Sequence, residues 1–201
     1  MNKGIDVSGY QGDIDFQKVK QSGIDFVIIK AGEQYNKSGS FEENYKKAKA
    51  AGMHIGAYWF SRAMSADDAR KEASFCITTI SGKQFDYPIY WDLEDARQFQ
   101  KGKNFCSEIV DVFCQALEGA GYFAGLYISR APLQTYISDE VAKRYALWIA
   151  DYSTKYSYSS GIWQYSGQGS CSGINGPVDL DYGYTDYPSI IKSKGLNGYG
   201  S

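Results

Sequence analysis

The first three quarters of the chain repeat one pattern: a short apolar run, then apolar positions at helical spacing, then another apolar run. This alternation narrows the fold more than any other feature. Strands are predicted at residues 4–8, 26–30, 55–60, 87–95, 123–129 and 147–152. Between them lie helical segments: one after Asp15, ending before Gly23; one opened by an S-x-x-E capping box at Ser40 and Glu43; one from Ser65 to Gly82; one over 107–117; and one over 131–144, broken near Ser138. Strand–helix alternation is the signature of a parallel sheet. Right-handed crossovers repeated this many times produce a barrel or a doubly wound sheet.

After residue 152 the pattern changes. Strands are predicted at 162–165 and 178–182, but the links around them are Ser/Tyr-rich and Gly/Ser-rich, with no helical periodicity. A parallel return needs about a dozen residues, usually with a helix. The last strands are therefore expected to join as antiparallel hairpins. The expectation is an α/β chain forming a modified TIM-like barrel, about five βα units followed by three strands with little helix between them. Residues 1–194 make one domain, closed by a short helix over 188–194, and 195–201 are a C-terminal tail or the start of a linker. A chain of 201 residues suits a single core of this kind.

Composition excludes several classes. A net charge of -2 offers no electrostatic footprint for nucleic acid. No apolar run approaches the length of a membrane span, so no membrane insertion is expected. The N-terminus enters a strand at once, without the apolar core of a signal peptide. Synthesis in the cytoplasm, or prior loss of a leader, is expected. Cys76, Cys106, Cys114 and Cys171 have no CxxC spacing, and His54 is the single histidine, so no metal site is expected and the thiols read as reduced and structural. Aromatics reach 16%, including 18 tyrosines, which suits carbohydrate faces as well as a barrel core.

Carboxylates mark the candidate site. In the fourth strand, side chains alternate, so Tyr90, Asp92 and Glu94 share one face and Ile89, Trp91 and Leu93 the other. Asp95 falls on the second face and reads as structural. Two carboxylates side by side are costly unless one carries a proton or a cation sits between them; acid/base catalysis uses that arrangement. Asp6 on the first strand, and Asp179 and Asp181 on the last, join them, because first and last strands are neighbours in a closed barrel. Tyr58, Tyr127, Trp148, Trp163 and Gln164 recur at similar positions. Acids walled by aromatics in a chain almost without histidine suit glycoside hydrolysis.

The ordered segments GIDVSGYQG (4–12), KAGE (30–33), GAYWF (56–60), YPIYWDLED (87–95), GLYIS (125–129), LWIADY (147–152), GIWQYS (161–166) and VDLD (178–181) resemble the glycoside hydrolase family 25 lysozymes. These are N-acetylmuramidases, common as phage endolysins and bacterial autolysins. The resemblance implies a modified barrel of five βα units and three further strands. It implies cleavage of the β-1,4 bond between N-acetylmuramic acid and N-acetylglucosamine in peptidoglycan, without a cofactor, by a monomer acting on bacterial cell-wall glycan strands after release. Carried over by motif, Glu94 is the general acid/base. Asp92 is its partner, either as nucleophile or as the group that orients the 2-acetamido group, and it is expected to stay ionised. Asp6 and Asp179 complete the catalytic cluster. Tyr58, Tyr127, Trp148, Trp163, Gln164 and Asp181 form the substrate subsites.

The chain departs from the family pattern at three positions. Asp181 stands where Asn is usual, Trp59 where His is frequent, and Gly32 where Thr is frequent; the last two are expected near the groove. Two rival readings compete: a metal-dependent polysaccharide hydrolase or deacetylase using Asp6, Asp92 and Asp179, and a catalytically inactive glycan-binding barrel.

Overall fold

The structure is a computed structural model that describes residues 1–153 and 158–200. The parallel part of the barrel runs β1 (Asn2–Val7), α1 (Phe16–Gln21), β2 (Phe26–Glu33), α2 (Phe41–Ala50), β4 (His54–Phe60), α3 (Ala66–Ile80), β5 (Ile89–Asp92), α4 (Ala96–Phe99), α5 (Lys103–Gly119), β6 (Ala124–Ser129), α6 (Arg130–Tyr136), α7 (Asp139–Arg144) and β7 (Ala146–Ala150). Then come β8 (Ile162–Gly169), β9 (Val178–Gly183) and α8 (Tyr187–Ser193). The order β1-β9-β8-β7-β6-β5-β4-β2 closes through β1–β2 pairing, and β3 (Asn36–Lys37) adds a short hairpin to the end of β2. Five βα units followed by three strands is the expected architecture.

The sequence and structure disagree on one joint. β8 pairs with β7 in parallel, and only β8–β9 is a hairpin. The expectation of hairpins on both sides underrated the reach of a short link. β7 has five residues, a climb of about 17 Å, and a link of eleven residues, as between β7 and β8, can span up to about 36 Å. No helix is needed for that return.

Two apolar layers follow from the two faces of each strand. Val27, Ile29, Ile89 and Trp91 face outward and meet the helices, where Trp91 stacks on Phe113 of α5 at 4.8 Å. Phe26, Ile28, Tyr90, Tyr127 and Trp148 face inward and fill the barrel. Glycines make room for them: a Cβ at Gly4 would lie 2.1 Å from the Phe26 ring, and one at Gly125 would lie 2.5 Å from Tyr90.

Caps explain several helix starts. Ser65 accepts from the Asp68 amide and Ser138 from that of Val141, the latter splitting α6 from α7. The capping box expected at Ser40 is absent, because Ser40 has helical φ/ψ and its hydroxyl meets Ser38 instead. A box forms at Ser8 and Gln11, where the turn after β1 needs its amides satisfied. α5 begins four residues earlier than predicted, after Gly102 in a left-handed conformation. All four cysteines are free and buried.

Residues 195–200 differ from the expected tail. Asn197 is fully buried under the barrel floor, bonded to Tyr87 and Phe123 backbone, while Tyr199 donates to Asp86. Among the described residues no helix is long and apolar enough to cross a membrane.

Candidate active site

The C-terminal ends of the parallel strands open into a cavity of about 340 Å³. Asp6, Asp92, Glu94 and Asp179 all line it, with Tyr58, Tyr127, Trp148 and Gln164. β9 runs antiparallel to β1, so its beginning lies at this mouth; Asp179, its second residue, pairs with Asp6, while Asp181 pairs with Gly4 lower down. A shallower hollow of about 520 Å³ continues from the cavity past Ser8, Tyr10, Lys30 and Glu33 to the β3 hairpin. The four clustered acids lie in the smaller, deeper cavity, which is where acid/base chemistry has its groups.

Asp92 ends β5 with its side chain inward and 4% exposed. Its Oδ1 has no hydrogen-bond partner. Burial pushes its carboxyl well above the ordinary range; the neighbouring Glu94 adds to this, and Lys30 opposes it. Glu94, beyond the strand end, is exposed. It too is raised, first by the enclosing cleft and then by Asp179, with Tyr127 and Lys30 opposing. Asp92 is the deeper of the two, and a low-dielectric site disfavours its anion, which opposes the expectation that it stays ionised.

Asp6 accepts from Gln164 Nε2 at 2.8 Å, and Gln164 Oε1 accepts from the hydroxyls of Tyr127 and Tyr152. Tyr58 lies in the field of Asp6, Asp92, Asp179 and Glu94, and burial with those charges keeps its phenol neutral. Lys30 pairs with Glu33 at 2.8 Å, and Arg62 bridges Glu33 and Asp95, making a basic-acidic wall beside Asp92. Asp95 caps α4 and is held far below the usual carboxylate range, first by Arg97.

The structure does not bring every predicted residue to the cavity. Trp163 is not among the lining residues: it lies on the other face of β8 from Gln164, stacks near Tyr165 and Tyr182, and donates to the Asp151 carbonyl. Asp181 is 1% exposed and is also outside the lining, bonded to Trp148 Nε1 at 2.8 Å. Trp148 is 1% exposed, so it presents an edge to the cavity floor and no open ring face. Trp59 is fully buried on the outer face of β4, and its Nε1 donates to the carbonyl of Gln34, which with Gly32 lines the shallower hollow.

Sequence reasoning passed over Tyr10, Lys30, Glu33, Arg62 and Tyr152. The strand-end rule used for the acids points to Glu33 directly and, extended to aromatics and cations, to the other four. Tyr10 and Tyr152, 94% and 61% exposed, stand at the rim. Among the described residues, no three His, Cys, Asp or Glu side chains are placed to hold one metal ion.

Comparison with known proteins agrees with this architecture. A family model described as Glycosyl hydrolases family 25 matches residues 5–174. The autolytic lysozyme of Clostridium acetobutylicum is 34% identical over 183 residues, covering 89% of this chain and 55% of the relative. Lysozyme M1 of Streptomyces globisporus is 28% identical over 197 residues, covering 88% of this chain and 66% of the relative. The bacterial lysozyme from Streptomyces coelicolor shares the fold, with a TM-score of 0.85 at 23% identity over 99% of this chain and 98% of that one. The modular autolysin LytC from Streptococcus pneumoniae, solved with a synthetic peptidoglycan ligand, has a TM-score of 0.84 at 26% identity over 91% of this chain and 46% of that one. The chain belongs to glycosyl hydrolases family 25. It spans about half the length of the Clostridium relative.

Proposed function

We propose that this chain hydrolyses peptidoglycan at the β-1,4 bond between N-acetylmuramic acid and N-acetylglucosamine, with Glu94 as general acid/base. The observation that carries the reading is the placement of Asp92 and Glu94 in one cleft at the barrel mouth, where burial raises both carboxyls. A glycosidase needs one carboxyl that delivers a proton to the leaving oxygen and one that meets positive charge at the anomeric carbon.

Burial disfavours the Asp92 anion, and substrate binding supplies what favours it. Asp92 Oδ1 has no donor of its own. An acetamido N–H brought to the cleft side of the Asp92 carboxyl would hydrogen-bond the anion, lower its proton affinity and leave Glu94 to carry the proton. This favours Asp92 as the group that orients the acetamido oxygen for internal attack over Asp92 as a direct nucleophile. Charge developing at the anomeric carbon then faces Asp92, while Asp6 and Asp179 complete the negative field of the site. Tyr10, Tyr58 and Tyr152 offer faces and hydroxyls to the sugars.

The test is Glu94→Gln with purified cell walls. The variant is expected to fold and bind walls while losing nearly all lysis. Mass spectrometry of wild-type digests is expected to show fragments ending in reducing N-acetylmuramic acid. Reducing N-acetylglucosamine ends, or a fully lytic E94Q protein, would sink the assignment.

A further inference from the structure

Beneath Asp6, one layer deeper in the barrel, stands a carboxyl outside the cleft lining. Asp181 is almost wholly buried; its Oδ1 accepts Trp148 Nε1 at 2.8 Å, and its Oδ2 has no N–H or neutral O–H donor. The β1–β9 register, Asp6 opposite Asp179 and Gly4 opposite Asp181, turns all three acids inward together. The Asp6 carboxyl stands against that of Asp181 below it and that of Asp179 beside it. Two carboxylates are acceptors only, so that contact needs a proton on one of them.

The surroundings supply no other compensation. Facing Asp181 are Asp6 from β1, Asp179 on its own strand, Tyr90 from β5, Tyr152 after β7 and Tyr165 from β8. All are acids or phenols. The neutral donors are evenly divided, Trp148 to Asp181 and Gln164 to Asp6. Among the described residues, no cation acts on Asp181. Two buried like charges in contact would cost far more than holding one proton.

We propose that Asp6 and Asp181 form one proton-sharing carboxyl pair with a single negative charge, in which Asp181 is a positioning residue that fixes Asp6 beneath the cleft. Burial raises both carboxyls: Asp181 to about 8, with Trp148 and Asp6 opposing and Asp179 adding, and Asp6 further by Asp181 and Asp179 with Gln164 opposing. When the shared proton leaves at alkaline pH, Asp6 and Asp181 repel. Asp6 is bonded to Gln164, and Gln164 holds Tyr127 and Tyr152. The disturbance therefore reaches the cleft wall without Asp181 touching substrate. Asp181→Asn replaces the shared proton with a permanent amide donor of the same shape.

The main test needs no catalysis and so is independent of the glycosidase reading. Native electrophoretic mobility is compared at neutral pH for the parent, D181N and a control, Asp67→Asn, whose parent carboxyl is 80% exposed. D67N is expected to shift by one charge. D181N is expected to co-migrate with the parent, because a singly charged pair becomes a singly charged Asp6. A one-charge shift of D181N in either direction overturns the proposal.

A second arm rests on the proposed lytic activity. The alkaline limb of the D181N rate profile is expected to move up by about one pH unit or more. Asp181→Leu, which has no donor, is expected to lose on the order of tenfold in kcat with little change in KM. Superimposable parent and D181N alkaline limbs would overturn the positioning role while leaving the glycosidase reading intact.

Discussion

Gln164 on β8 reaches across the intervening strand β9 to donate its amide to Asp6 on β1 at 2.8 Å. Its orientation is fixed, since the Tyr127 and Tyr152 hydroxyls both donate to Oε1 at 2.9 and 2.8 Å. One side chain thus ties three strand ends to a candidate catalytic acid. Gln164→Glu places a third acceptor group against Asp6, while Gln164→Ala leaves Asp6 and two phenols unpartnered. Losses of roughly 10- to 100-fold in the rate of wall clearing are expected, larger for Q164E. Equal activity of both variants and the parent would show that Asp6 needs no such anchor.

Glu72 of α3 is a buried acid on the opposite side of β5 from Asp92. It accepts from the Arg62 amide at 2.9 Å and from Trp91 Nε1 at 3.1 Å, and burial pushes it up to about 7. A carboxyl raised on folding binds a proton that the unfolded chain has already released. Its contribution to stability is present below the ordinary glutamate value and is lost as pH rises toward 7. Glu72→Gln does not titrate. Between pH 4.5 and 7 its Tm is expected to gain on the parent, by a stability difference of up to roughly 3 kcal/mol. A Tm difference that stays constant across that window would contradict the assignment.

Gly32 and Trp59 form one packing unit. A Cβ at Gly32 would lie 2.3 Å from the Trp59 ring and 2.5 Å from the Asn36 carbonyl. The two departures from the family pattern on β2 and β4 are therefore coupled by packing, with Gly32 lining the shallower hollow and Trp59 buried behind it. Gly32→Ala is expected to destabilise by about 1–3 kcal/mol in denaturant titration. Combined with Trp59→Phe, the loss should be smaller than the sum of the two single losses.

Asn197 holds the barrel floor. Its side chain accepts from the Phe123 amide at 2.7 Å and donates to the Tyr87 carbonyl at 2.9 Å, and its φ of 55° is left-handed. Asn197→Ala strands two buried backbone groups and strains the turn. A loss of about 2–4 kcal/mol is expected by chemical denaturation. Asn197→Gly, which relaxes the φ constraint, is expected to lose less.

The sequence by itself determined the barrel's plan. Strand–helix periodicity placed the five βα units, and period-2 alternation put Asp92 on the inner face and Trp91 on the outer one, because both signals are local and depend on backbone geometry alone. It also gathered Asp6, Asp92, Glu94 and Asp179, since strand ends in a closed barrel meet at one mouth. Only the tertiary structure decided that β8 returns parallel to β7, that Trp163 lies outside the cleft lining while Gln164 faces in, and that residues 195–200 seal the floor. The family resemblance gave Asp179 and Asp181 different roles, but only the tertiary structure showed their depths, Asp179 at the mouth and Asp181 below. That difference is about one layer of barrel depth. Depth decides which carboxyl meets water and which must share a proton, and no local pattern in the chain records it.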